Sequence, residues 1–279
     1  MSPSGRRVAL VTGASRGIGR ACAHALAGAG LEVAITARTL TEGSGVDDSD
    51  VGAGAAVEGS LERTAAEVDA CGVRCFPVVA DLLDHDSLRS AVMRTGELFG
   101  RLDVLVLNAV HTGVGSMLRL EETTPEMLTT KLMANAVAQL VIVQAALPLL
   151  RESGDGRVIA MTSYAAAHDP ASPVGSGGWG YAYAASKAAF HRLAGHLAVE
   201  FGDDGIVAVN VDPGHVLTER MRANAERLGL EGHYTGAPPS APAAAVAWLA
   251  TSPDALALNG QTVSGLKLAL EKQLHADWR

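Results

Sequence analysis

Short apolar runs alternate with longer, helix-periodic segments along the whole chain. Residues 8–11 read Val-Ala-Leu-Val, an unbroken apolar run of the kind that fits a strand buried on both faces. A glycine-rich turn follows, and an Ala-rich helix is predicted over 20–29. The same reading predicts strands over 31–36, 74–79, 104–107, 157–161, 206–211 and 261–263. Between them it predicts helices over 61–71, 87–99, 124 to about 150, a segment opening near Tyr181, and 241–251. Thr124-Pro125-Glu126 is a helix start, with a hydroxyl cap and proline at the first helical position. Strands alternating with helices mean one α/β domain over residues 1–279, a doubly wound parallel sheet with helices on both faces, and no internal repeat is found. Two stretches break the rhythm. Residues 41–60, rich in Gly, Asp, Ser and Ala, read as a flexible acidic insertion, and residues 214–240 as a lid on the substrate side, partly helical from 219.

Composition agrees with one domain and narrows the partners. With 279 residues, 48% hydrophobic and 19% charged, the chain can bury a large core. A net charge of −8 argues against a binder of nucleic-acid backbones, and no basic run goes beyond Arg6-Arg7. Three cysteines, Cys22, Cys71 and Cys75, form no metal-like pairing and read as reduced packing residues. The N-terminus lacks the long apolar region of a secretion signal, and the apolar run 136–150 is interrupted by Gln139, Gln144 and Pro148 and too short to span a bilayer. A soluble cytoplasmic protein is the expectation.

The chemistry sits where strands end. Gly13, Gly17 and Gly19, with Ser15, Arg16 and Ile18 between them, lie at a strand-to-helix turn, where free N–H groups favour a phosphate and point to dinucleotide binding. The second strand ends in Ala37-Arg38, where an NAD-specific fold would carry an acid for the ribose 2′-hydroxyl. Arg38, with Arg16 beside it, suits a 2′-phosphate instead, so NADP(H) is predicted over NAD(H). Asp81, followed by Leu82, ends the third strand and could meet the adenine or cap the next helix. Asn135, in an apolar helix, needs a partner and is either a structural clamp or a water holder. Tyr183 and Lys187 stand four residues apart on one predicted helix face, so an ammonium could stabilise a phenolate.

Taken together these residues resemble the short-chain dehydrogenase/reductase family over nearly the whole chain. The resemblance rests on Thr12-Gly13-x-x-x-Gly17-x-Gly19, Asn108-Ala109, Ser163 with Tyr183-x-x-x-Lys187, and Pro213-Gly214. It implies a Rossmann-type fold, a nicotinamide cofactor and the catalytic set Asn135, Ser163, Tyr183 and Lys187. It further implies that Tyr183 donates a proton and Ser163 hydrogen-bonds the substrate oxygen. Lys187 would hold the nicotinamide ribose and lower the Tyr183 pKa, Asn135 would position a water, and Val216 and Thr218 would meet the carboxamide. The usual Asn-Asn-Ala-Gly reads Leu107-Asn108-Ala109-Val110 here, and both 41–60 and the Ser163-to-Tyr183 spacing carry added residues.

Histidines 111, 168 and 215 follow strand ends but lack acids or cysteines at metal-ligand spacing, so pocket or surface roles are expected. Trp179, Met117, Met221 and Tyr234 are candidate pocket residues. The expected function is an NADP(H)-dependent oxidoreductase interconverting an alcohol and a ketone or aldehyde on a small, largely apolar substrate. The expected assembly is a homodimer or homotetramer. Alternatives are a reductase of carbon–carbon double bonds and an NADPH-binding redox sensor, although a sensor has no need of a proton donor.

Overall fold

A computed structural model describes residues 5–52, 54–227, 229 and 235–278. The first half runs β1 (Val8–Thr12), α1 (Gly17–Gly28), β2 (Glu32–Ala37), a small hairpin of β3 (Val46–Asp47) and β4 (Ala55–Ala56), α2 (Leu61–Asp69), β5 (Cys75–Val79), α3 (His85–Phe99) and β6 (Val104–Leu107). The second half runs α4 (Pro125–Leu132), α5 (Ala138–Ser153), β7 (Gly156–Met161), α6 (Tyr181–Phe201), β8 (Ile206–Asp212), α7 (Glu219–Arg227), α8 (Ser240–Thr251), β9 (Thr262–Ser264) and α9 (Gly265–Glu271). Helix α9 carries no sequence expectation, and Tyr234 lies outside the described residues.

Seven strands form one parallel sheet in the order β5-β2-β1-β6-β7-β8-β9. The central strands are largely apolar because both faces are covered. Ala9, Val11, Ile35 and Val106 pack with Cys22, Leu26 and Val246 on one side. Leu10, Leu105 and Leu107 pack with Val92, Ile142, Phe190 and Leu197 on the other. The chain leaves β1 for β2 in one direction and returns to β6 in the other, so a crevice opens at the C-terminal ends of β1 and β6.

The segment predicted as one helix to about 150 is interrupted: a π-helical turn, Met133–Val137, separates α4 from α5. The rod it forms, Pro125–Ser153, is 29 residues long and holds an 18-residue stretch with a mean hydropathy of 1.7, long and apolar enough by length and composition to cross a membrane, unlike the shorter run 136–150. Here Ala138, Val141, Ile142, Ala146 and Leu150 are buried in the core. The 41–60 insertion is tied down rather than loose. Its hairpin carries Asp47, which is only 2% exposed and pairs with Arg227 at 3.2 Å.

Candidate active site

The glycine loop is laced to the end of β6. Thr12 Oγ1 accepts the N–H groups of Asn108 and Ala109, each at 3.0 Å, and the Asn108 amide donates to the carbonyls of Thr12 (2.9 Å) and Gly13 (3.2 Å). Gly13 has φ +69°, and a Cβ on Gly19 would collide with the Gly13 carbonyl, so close packing demands glycine at both. Helix α1 then opens at Gly17 with Arg16 extended and no side-chain cap from its own segment. A carboxylate from α7 supplies one: Glu219 accepts the Gly17 N–H at 2.9 Å. Nothing local in the sequence marks Glu219, because the contact joins residues 202 apart.

A cleft of about 200 Å³ lies over this loop. Gly13, Ser15, Arg16, Gly17, Ile18 and Gly19 line one part, Arg38, Asp81 and Leu82 another, and Asn108, Ala109 and Thr218 a third, together with His111 and Arg220. Pro213 and Gly214 follow at the end of β8, and Val216 forms an isolated bridge with Ala237. Of the two possibilities for Asp81, the structure makes Asp84 the α3 cap, while Asp81 closes a local turn by accepting the Leu83 N–H at 2.9 Å. These residues fit a dinucleotide: a close-packed glycine turn, a helix N-terminus and guanidinium groups converge on one crevice. The two arginines are not free, however. Arg16 donates to the carbonyls of Glu58 (2.8 Å) and Gly59 (3.0 Å), and Arg38 pairs with Asp48 at 2.9 Å.

Tyr183 and Lys187 stand one turn apart near the start of α6. Ser163, at the end of β7, caps a short 3₁₀ turn and hydrogen-bonds Tyr183. Burial, helped by Asp212, pushes the Tyr183 phenol up, while the Ser163 hydrogen bond and Arg220 pull it down. Lys187 is 4% exposed, donates to the Met161 carbonyl at 2.8 Å, and is pushed down to about 8 by burial, with Asp212 opposing. The net direction for Tyr183 is upward, against the depression expected from a neighbouring cation, and the cation that opposes burial at this phenol is Arg220.

Asn135 sits in the π turn, and its side chain is a clamp. Its Oδ1 accepts the His111 N–H at 2.7 Å and its Nδ2 donates to Ser186 Oγ at 3.0 Å, tying the loop after β6 to α6. Lys131, one turn earlier and fully buried, donates to the His111 and Gly113 carbonyls and to Ser116 Oγ. Neither arrangement is visible without the loop that receives it.

The remaining candidates scatter. His111 lines the cleft; His168 stacks on Tyr164 with ring centroids 3.8 Å apart; His215 contacts the Thr235 carbonyl. Trp179 and His168 line a separate cavity of about 570 Å³ against Tyr181, Ala184 and Ala188, and neither Tyr183 nor Lys187 lines it. Met117 is anchored through its N–H to Asp50 and Met221 through its N–H to Thr218. Among the described residues no group of three or more His, Cys, Asp or Glu could hold a metal.

With this geometry in place, similarity to known proteins becomes informative. The chain matches the family model described as short chain dehydrogenase over residues 7–49 and 45–228. It is 32% identical over 214 residues to "Oxidoreductase UcpA" of Salmonella typhimurium, covering 76% of this chain and 70% of that protein. It is also 32% identical over 228 residues to "Cyclohexanol dehydrogenase" of a Rhodococcus species, covering 80% and 79%. A crystal structure of a dehydrogenase/reductase from Sinorhizobium meliloti superposes with a TM-score of 0.72 at 30% identity, covering 92% of each chain. The sheet order, the laced glycine turn and these matches agree, and the chain belongs to the short-chain dehydrogenase/reductase family of oxidoreductases.

Proposed function

We propose that the protein is an NADP(H)-dependent oxidoreductase that interconverts a secondary alcohol and a ketone, or a primary alcohol and an aldehyde, on a small, largely apolar molecule. The observation that carries this reading is the pair Tyr183 and Lys187 one turn apart on α6, with Arg220, which lines the glycine-rich cleft, acting on the Tyr183 phenol. A nicotinamide dinucleotide, when bound, supplies or accepts the hydride. The side chains handle the proton and the oxygen. In the reducing direction negative charge grows on the substrate oxygen; Ser163 donates a hydrogen bond to it and Tyr183 delivers the proton. The phenol carries that proton at neutral pH as any tyrosine does, and burial holds it more firmly. Lys187, fixed by the Met161 carbonyl, has donors left for ribose hydroxyls.

Arg38 at the end of β2, with no acid next to it in sequence, supports NADP(H). The named activity of the Rhodococcus relative supports an alcohol as substrate. A soluble cytoplasmic homo-oligomer belongs to the same proposal, supported by an apolar groove between α5 and α6 that includes Leu140, Leu147 and Leu193.

The test is the near-ultraviolet absorbance of NADPH, and separately NADH, with a panel of ketones, aldehydes and quinones. Wild type should consume cofactor, and Tyr183→Phe should fall by about 100-fold or more while still binding it, the scale expected for loss of a positioned acid. Undiminished turnover by Tyr183→Phe would remove Tyr183 from the chemistry.

A further inference from the structure

We propose that Asp48, which the 41–60 insertion places against the cleft-lining Arg38 and Thr112, is a cofactor-selecting residue that competes with a 2′-phosphate for Arg38 and so restrains the preference for NADP(H) over NAD(H). The inference rests on the reading of the cleft as a nicotinamide dinucleotide site. Strand β2 ends in Ala37-Arg38 without the acid that holds a ribose 2′-hydroxyl in NAD-specific sheets of this type. Asp48 brings a carboxylate onto the Arg38 side chain from ten residues further on: its Oδ2 lies 2.9 Å from the guanidinium.

The carboxylate is held, not loose. Its Oδ1 accepts the Thr112 hydroxyl at 3.3 Å, so Asp48 bridges the end of β2 and the loop after β6, two sides of the crevice. On either side of it the insertion is anchored again. Asp47 pairs with Arg227 at 3.2 Å, and Asp50 accepts the N–H groups of Gly115 (2.8 Å) and Met117 (2.7 Å). Burial works against the Asp48 charge, but Arg38 and His111 outweigh it and the carboxyl titrates below its usual range, so it is ionised at neutral pH.

An ionised carboxylate on Arg38 cancels much of the attraction that the guanidinium offers a second anion, and it repels a phosphate that approaches the same group. A 2′-hydroxyl meets the opposite situation, because it can donate to that carboxylate. Arg38 and Asp48 therefore pull selectivity in opposite directions.

The experiment compares kcat/KM for NADPH and NADH in the full-length wild type, Asp48→Asn, Arg38→Ala and Asp50→Asn, with a binding titration of both dinucleotides. Asp48→Asn should raise the NADPH:NADH ratio by about tenfold, the size expected when one close like charge is removed at a partly exposed site, and Arg38→Ala should lower it. Asp50→Asn loosens the same insertion without touching Arg38 and should leave the ratio within about twofold. Because the readout is a ratio within one preparation, a loss of folded protein cancels. An unchanged or lowered ratio in Asp48→Asn, with both dinucleotides bound, overturns this inference alone; binding of neither by wild type overturns the dinucleotide reading with it.

Discussion

Tyr183 and Lys187 titrate in opposite directions for one reason: burial disfavours the charged form of each, holding the proton on the phenol and loosening it from the amine. The consequence is a pH limb. Under the proposed mechanism carbonyl reduction needs the phenol protonated and the ammonium charged, so activity should be flat through neutral pH and fall as pH rises past about 8, where Lys187 loses its proton. Lys187→Arg keeps its charge at any accessible pH and should move that limb upward in a pH–rate profile. A limb that stays in place belongs to another group. The Tyr-x-x-x-Lys spacing was legible because both residues belong to one helix, where four residues make one turn. Arg220 was not legible as a charge on Tyr183, since it reaches the site from α7.

At the scale of elements, the π turn Met133–Val137 divides the rod that the sequence presents as one helix. Asn135 lies in that turn, 2% exposed, and both ends of its amide are used. Asn135→Ala should leave the Ser186 hydroxyl and the His111 N–H without that partner and cost about 1–3 kcal/mol, read as a lower midpoint in thermal or urea unfolding. An unchanged midpoint would mean that water replaces the amide at no cost. The insertion is the other element that departs from its sequence reading. Its composition is that of a flexible loop, yet Asp47, Asp48 and Asp50 each find a partner elsewhere in the fold. Periodicity cannot register such anchoring, because the partners lie 10 to 180 residues away.

For the molecule as a whole, the parallel sheet with a switch between β1 and β6 decides where everything meets. Strand ends from both halves of the chain converge there, which is why the glycine turn, Asn108 and Ser163 belong to one edge of the sheet. The outer apolar groove between α5 and α6, with Leu140 44% exposed, predicts a further surface. Light scattering on the purified chain should give a dimer or tetramer mass, and Leu140→Asp should shift it towards the monomer; a monomeric wild type would remove the oligomer from the proposed function.

The amino-acid sequence alone determined the order of the sheet strands and of the helices between them, though not α9, the β3–β4 hairpin or the π turn, and with them the glycine turn and the Tyr183–Lys187 pair, because each is written in neighbouring residues whose spacing matches a strand, a turn or one helical turn. Only the tertiary structure decided what those residues touch: Glu219 on Gly17, Asn135 between His111 and Ser186, Asp48 on Arg38, and Arg220 near Tyr183. Those contacts follow from how the chain crosses the sheet. Short-range spacing sets local geometry, while the charge a side chain meets depends on segments that folding alone brings together.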